Sequence, residues 1–581
     1  MEGIGMERLE AKKINGHTYY YYSEWGWVNG KCRRKWQKYL GKLENIVKAC
    51  EGGGPKPLYA DVFQWGLPAA LWKEALTANI IQEINDICPK RNQGLSTGEY
   101  IGVASVNRAI SPNSKRSMWN WFSQTVLLRY LPSASKEALS SQRFWDHMDR
   151  IDDDKSSQIW KNIIKGVVER ENIDLSSVSY DGTNFYTFID TFNVRCKIAM
   201  RGKNKQGQSN LRQVSYALFC SADGHMPLFY DVYEGNRNDA KQFPLMLEKF
   251  NTFLQEVRGR RCAPEDTTLI FDKGNNSPAN FKMIDAMKLK FVGSVKLGEH
   301  KELAQISNGD ERFKPCGAAS LDGTKAFRVK KTVYGKERVL VVSYNQNLFD
   351  AQWLTLQNDI SKAIGRLAEL QQKLHDRAAG LIKGGRTPTV ASVEKQCERI
   401  LCRQYMKQVI TIGIREGKEK IPGLEHAIDS AALSKLADTR LGKNIIISNR
   451  KSWNDSRIIE AYRSQFIIEN VFKEMKDRAT GSWWPMNHWT DSKIGVHDLY
   501  CTIALLLRAL MLRRVKAAKI DLSMKRLLSE LDNMRQVVNI YPKKRQQKTE
   551  RRQAVLSRTS ELQDKLIDVL GLKEDQKLLL G

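Results

Sequence analysis

An α/β fold is predicted by three observations: helical periodicity gives way to strand periodicity at Ser176, three antiparallel strands are then followed by helix, strand, helix and strand, and a long interruption precedes an acidic helix. That order is the order of a ribonuclease-H-like core, and the interruption reads as an inserted α+β domain. Six segments result: a β-rich N-terminal unit (1–54), a helical region (55–175), the first part of the core (176–295), the insertion (296–441), the second part of the core with the acidic helix (442–516), and a basic helical C-terminal region (517–581).

The first unit carries Tyr19 to Tyr22, Trp25 and Trp27 beside the turn pair Asn29-Gly30, and the run Gly52-Gly53-Gly54-Pro55 ends it. Helices are expected over 72–87, 98–110, 117–130 and 156–170, separated by Pro and Ser. Strands follow at 178–188, 192–200, 214–221 and 228–233, with a turn at Asp223-Gly224. A helix over 239–257 leads to the apolar strand 268–271, a helix at 278–288 and a strand at 291–295. Within the insertion, strands are expected at 326–333 and 338–344 and amphipathic helices at 352–375 and 393–408; such a stretch is too long for a loop. The core resumes with a strand at 444–448 and a helix over 455–477, capped by Asp455. Helices at 497–516 and 522–535 and a basic run at 543–552 complete the chain.

Charge identifies the partner class. Lys and Arg number 93 against 65 Asp and Glu, leaving +28 over 581 residues. Such an excess attracts polyanions, because each neutralised phosphate releases condensed counterions. Nucleic acid is the expected partner, against the blander reading of a merely soluble basic protein, and the helical region 55–175 points to double-stranded DNA; Ser111 to Arg116 serves equally as a cationic loop or a merely solvated one. The ten cysteines include no CxxC pair, which argues against zinc. No basic-then-apolar opening marks secretion, and the apolar segment 500–512 is too short to span a bilayer, so a cytoplasmic protein with no membrane partner is expected.

Asp272 ends an apolar strand and is followed by Lys273, Gly274 and Asn275, which places its carboxylate at a strand end. Asp181 lies within the first core strand, in Ser179-Tyr180-Asp181-Gly182-Thr183. An inward carboxylate on an apolar strand needs a partner, and a metal ion is the natural one; a single such Asp would equally cap a turn, but two on neighbouring strands weaken that reading. On a helix advancing about 100° per residue, Tyr462, Gln465, Glu469, Lys473 and Lys476 share an arc about 80° wide, opposite Ile467, Ile468, Val471, Phe472 and Met475. A charged stripe is commonly just a solvated face. Here an acid is flanked by Tyr, Gln and two Lys, all able to contact phosphate or metal-bound water.

These residues resemble the DDE transposases of bacterial insertion sequences, specifically the family numbered four, whose acidic helix carries Tyr, two residues, Arg, three residues, Glu, six residues, Lys. Tyr462, Glu469 and Lys476 meet that spacing, while Gln465 stands at the Arg position with Arg463 nearby. Asp181 in DGT, Asp272 before Gly274, the Asp223-Gly224 and Pro227 pattern, the segment Gly235 to Asp239, and His497 after the acidic helix extend the match over roughly residues 15 to 515. The resemblance implies two magnesium ions, with manganese as a substitute, held by Asp181, Asp272 and Glu469. Asp181 would bridge both ions; the other two acids would each complete one. It further implies that Tyr462, Gln465, Lys473, Lys476, Trp484 and His497 contact DNA, and that a homodimer holds two transposon terminal inverted repeats and the target DNA. The three carboxylates are then expected to converge on a pair of ions about 3.5 to 4 Å apart.

Trp483, Trp484 and Trp489 follow the acidic helix; Trp484 would stack on a flipped base, although core packing is the commoner fate of such residues. A nuclease or resolvase that cuts without joining, and an inactive DNA-binding descendant, are the rival readings. No Arg-His-Arg-Tyr arrangement or amino-terminal catalytic Ser supports a tyrosine or serine recombinase.

Overall fold

The strand periodicity that begins at Ser176 builds a ten-stranded mixed sheet in the computed structural model, which describes residues 6–28, 31–51, 56–90, 94–203, 207–208, 210–258, 266–417, 421–478, 481–543 and 550–580. The expected turn Asn29-Gly30, the run Gly52 to Pro55 and most of the basic run 543–552 lie outside the described residues. Two compact units divide the chain, one from 71–119 and 133–517, the other from 1–70, 120–132 and 518–581.

In the larger unit, β1 (Ser177–Thr187), β2 (Arg212–Ser221) and β3 (Pro227–Glu234) pair antiparallel in sequence. β4 (Thr268–Phe271) runs parallel to β1, and β5 (Lys290–Val295) parallel to β4. β6 (Thr324–Val333), β7 (Lys336–Asn345) and β8 (Lys443–Ser448) extend the sheet antiparallel in the order β6-β7-β8-β5. Two-residue strands, Met200–Arg201 beside β2 and Lys314–Pro315 beside β6, complete it.

Two helices make the crossovers and cover one face: α1 (Asp239–Arg258) sets Phe243 against Tyr180 and Phe271, with ring centres 5.0 and 5.2 Å away, and α2 (Pro278–Ala286) sets Phe281 5.2 Å from Phe291. The approach to α1 runs through Gly235, where a Cβ would lie 1.9 Å from the Gln213 carbonyl oxygen, so that close passage requires glycine. The opposite face carries α4 (Asp455–Arg463), whose Ile458 and Ile459 pack on Ile270, Val292, Val341 and Ile446, and α5 (Phe466–Lys476), whose Ile468, Phe472 and Met475 pack on Phe185, Tyr216 and Leu218. The segment 296–441 divides: β6 and β7 belong to the central sheet, while α3 (Gln346–Ala378) and the residues up to Leu441 gather a separate apolar cluster around Leu367, Val393 and Leu424. The long helix α6 (Asp491–Ala517) is apolar enough to cross a membrane, but 94% of its most apolar window is buried inside the protein, as in a core helix.

Several elements differ from the sequence expectation, each for a local reason. The strand expected at 192–200 is a loop as far as Ala199, because the Arg212 guanidinium gathers the carbonyls of Asp190, Asn193, Cys196 and Ala199 and so withdraws them from any ladder; only Met200 is in a strand. The helix expected over 72–87 is two, Gly66–Thr77 and Ile80–Ile87, separated where Asn79 takes a left-handed φ of 57°. The helix expected over 455–477 is also two: the Ser464 hydroxyl donates to the Ala461 carbonyl, the Gln465 N–H bonds to Tyr462 O at 3.1 Å, and the tightened turn breaks the run. Its N-cap is Asn454, which accepts from the Arg457 N–H, and not Asp455.

The smaller unit holds an antiparallel meander, Met6–Ile14, His17–Val28 and Lys31–Gly41, pinned by Glu10, which accepts from the Ser23 hydroxyl and the Trp25 indole. A second sheet pairs Tyr59–Gln64 with Arg535–Tyr541, and that strand with Arg551–Leu556. The C-terminal region is therefore not wholly helical, and the region from 55 does not begin with a helix. Alternation along 535–541, with Gln536, Val538 and Ile540 buried, is a strand pattern that the helical reading of 517–581 passes over.

Candidate active site

Register places the first two acids. Tyr180 pairs with Phe271 across the parallel strands β1 and β4, so Asp181 and Asp272 are the next residues of adjacent chains. Side chains alternate across a sheet. Because Tyr180 and Phe271 face α1, Asp181 and Asp272 face the other way, toward the side covered by α4 and α5. Beyond that pair β4 stops while β1 continues, leaving an opening at the carboxyl end of the parallel strands. Asp181 accepts from the Gly182 N–H at 2.8 Å, and Asp272 accepts from the Ser294 hydroxyl at 3.3 Å.

The break between α4 and α5 positions the third acid. Tyr462, in the last turn of α4, donates to Ser294 at 2.9 Å, so a chain of hydroxyls runs from Tyr462 through Ser294 to Asp272. Glu469 lies in the first turn of α5 and is exposed. Asp272, Lys273, Tyr462, Arg463, Gln465 and Glu469 line one cleft of about 810 Å³. Burial pushes the Tyr462 phenol up to about 12, with Ser294 opposing and Asp272 reinforcing the shift. Arg463, which also donates to Thr324 Oγ1 at 2.8 Å, stands in the cleft where Gln465 departs from the family spacing.

The remaining candidates separate. Lys476 reaches back from the end of α5 to the Thr183 hydroxyl, two residues beyond Asp181, and lies over the Phe185 ring. Lys473 is exposed and touches only its neighbour Asn470, at 3.4 Å, among the contacts described. Trp484 is 7% exposed and tilted against Tyr186 at 4.6 Å, which seats it in the core and not on an open stacking surface. His497 is fully buried: Trp483 O lies 2.9 Å from its Nε2 and the Tyr500 hydroxyl bonds its Nδ1, so it braces the segment after α5 from inside the protein. Burial holds its imidazole well below the usual histidine range. Sequence reasoning missed Ser294, Thr183 and Lys273. Ser294 was visible as a lone hydroxyl on the apolar strand 291–295.

The side chains do not form a closed metal cage: among the described residues, no three His, Cys, Asp or Glu are grouped closely enough to hold an ion. The expected convergence of all three is not seen as a preformed cluster: Asp181 and Asp272 share a sheet face, and Asp272 and Glu469 share the cleft, whose lining does not include Asp181. Like-charged carboxylates repel when uncompensated. Asp181 and Asp272 instead accept from nearby donors, and Glu469 extends into solvent. As a donor set, three carboxylates on one side of a sheet suit hard divalent cations.

No curated protein matches the chain. Among solved structures, "Cryo-EM structure of piggyBac transposase synaptic complex with hairpin DNA" is similar at 12% identity, covering 80% of this chain and 79% of that one with a TM-score of 0.35. A family model described as "Transposase DDE domain" matches residues 178–507, which run from β1 into α6 and include all three acids. Since that match spans more than half of the sequence, the chain belongs to the transposase DDE domain family.

Proposed function

We propose that this protein cleaves the ends of a transposon and joins them to target DNA by phosphoryl transfer, with water or a DNA 3′ hydroxyl as the nucleophile. The observation that carries the proposal is the placement of Asp181 and Asp272 side by side on the sheet face beneath the helix bearing Glu469. The strand order β3-β2-β1-β4-β5, with its two crossover helices, supports a ribonuclease-H-like core. Asp181, Asp272 and Glu469 would hold two magnesium ions, which when bound activate the nucleophile and stabilise the leaving oxygen of an in-line displacement.

The chain's own groups do the rest. Tyr462, kept protonated by burial, lines the cleft and donates its one proton to Ser294, which in turn donates to Asp272. Arg463 and Lys273 supply positive charge to the walls, and Lys476 stands above Thr183 at the Asp181 side. The spacing of Tyr462, Glu469 and Lys476 favours the insertion-sequence family numbered four, and hence a bacterial cytoplasmic protein that assembles as a homodimer on paired terminal repeats. A net charge of +28 favours the DNA partner.

The test is an assay of strand cleavage and strand transfer on a duplex carrying the cognate terminal repeat. Asp272→Ala is expected to bind that DNA and lose both reactions. Full cleavage by this variant would overturn the catalytic assignment. Cleavage without joining by the wild-type protein would instead make it a nuclease.

A further inference from the structure

Away from the acids, the larger unit contains a second, smaller cavity of about 280 Å³ whose walls include Arg108, Ser114, Lys115, Arg116, Ser141 and His488. Three of these are basic, and among the described residues no carboxylate pairs with any of them. Lys115 is 7% exposed, and its ammonium has no hydrogen-bond partner, resting instead 4.0 Å from the Tyr500 ring centre. Arg108 is 2% exposed; it donates to Pro485 O at 2.9 Å, while its Nε has no partner.

Two buried cations side by side with unmet donors are costly unless a counter-charge arrives. Burial, and then the charge of Arg108, push the Lys115 ammonium well below the usual lysine range. The same two cations, after burial itself, hold the His488 imidazole well below its ordinary range, so that ring adds no competing charge. The unmet groups are all donors, and the neighbouring Ser114 and Ser141 hydroxyls can donate as well. A tetrahedral oxyanion meets such a set, and its hydrogen bonds to charged donors are the stronger kind.

The geometry points to a phosphate-binding site formed by Arg108, Lys115 and Arg116, occupied by a backbone phosphate of bound DNA. This rests on the DNA-binding reading above and deepens it. Arg108 ties the cavity to the carbonyls of Trp483 and Pro485, the segment that follows α5. A phosphate held here would fix the path of the duplex relative to the acidic helix without touching the reacting atoms.

The test measures the affinity of the full chain for duplex DNA across a salt series, in wild type, Lys115→Met and Arg116→Ala. Each lost phosphate contact lowers the log–log salt slope by about 0.9, so wild type should lose about 3.5-fold more affinity than either variant between 50 and 200 mM salt. Lys115→Met keeps the aliphatic stem, and a melting curve confirms that it folds; Arg116 is exposed, so its replacement spares the core. A second arm follows the melting temperature with inorganic phosphate against chloride at matched ionic strength. Stabilisation by phosphate in wild type but not in Lys115→Met, with unchanged DNA slopes, would assign the site to free phosphate. Unchanged slopes together with no phosphate effect would overturn the site. Failure of wild type to bind DNA at all would count against the functional reading, while the phosphate arm would still report on the cavity.

Discussion

Asp181 and Asp272 each follow one residue after the paired Tyr180 and Phe271, so two acids separated by ninety-one positions in sequence become neighbours across parallel strands. Both strands present an aromatic to α1 and then an acid to the opposite face. If this pair holds divalent cations, removing one charge removes most of the transition-state stabilisation. Asp181→Asn and Asp272→Asn are each expected to slow strand cleavage by at least about 10³-fold, corresponding to several kcal/mol. Single-turnover cleavage at saturating magnesium measures this, and DNA affinity serves as the control. A loss below tenfold in both variants would remove the pair from the chemistry.

Tyr462 links the break between α4 and α5 to Asp272 through Ser294. Tyr462→Phe keeps the ring in place and removes only the hydroxyl. A single lost hydrogen bond costs the fold about 0.5–1.5 kcal/mol, so the variant should melt slightly lower, and cleavage should fall roughly 2- to 13-fold if Asp272 is mispositioned by the same energy. Because the phenol is pushed up to about 12, its proton is retained through the alkaline range in which the enzyme can be assayed. The ratio of wild-type to variant rates should therefore stay constant with pH; a ratio that collapses as pH rises through neutrality would mean that the hydroxyl titrates.

Periodicity made the core strands legible and marked Asp181 and Asp272 as acids on apolar strands, because burial of one sheet face imposes alternation and an acid on such a strand breaks it. The turn at Ser464 and Gln465 was not legible: its cause is one serine hydroxyl competing for a helix carbonyl, while the surrounding sequence keeps helical periodicity. The arc drawn through Tyr462 and Lys476 therefore described a helix that does not run unbroken, although both residues still reach the acidic face. Pairing of Tyr59–Gln64 with Arg535–Tyr541 joins segments at opposite ends of the chain, and no local pattern encodes such a pairing. His497 and Trp484 carried motif positions but not exposure, and exposure is a property of packing.

His497 provides a direct test of that distinction. Trp483 O accepts from it, Tyr500 bonds its other nitrogen, and Trp483 in turn stacks on Phe185 of β1 at 4.0 Å. His497→Ala leaves the Trp483 carbonyl with only the longer Arg108 bond at 3.4 Å and the Tyr500 hydroxyl with only His488 at 3.3 Å, and it opens a cavity, so it is expected to cost about 1–3 kcal/mol of stability. In the fraction that remains folded, affinity for duplex DNA and its salt slope should match wild type. A lowered salt slope with unchanged melting would restore a phosphate-contacting role.

Asp498, the next residue, is a fully buried carboxyl whose two oxygens have no hydrogen-bond partner. Burial, reinforced by the charge of Asp231, pushes it well above its usual value of 3.8. The folded chain therefore keeps a proton that the unfolded chain releases above 3.8, and folding stability from this group falls as pH rises from there toward the raised folded value. Asp498→Leu removes both the penalty and its pH dependence. The variant should already exceed wild type by about 1–3 kcal/mol around the ordinary carboxylate pKa, because the unpaired oxygens are gone at every pH, and its advantage should widen as pH rises. Denaturant unfolding at several pH values measures the difference. A stability difference that does not change with pH would mean that Asp498 holds the same charge in the folded and unfolded chains.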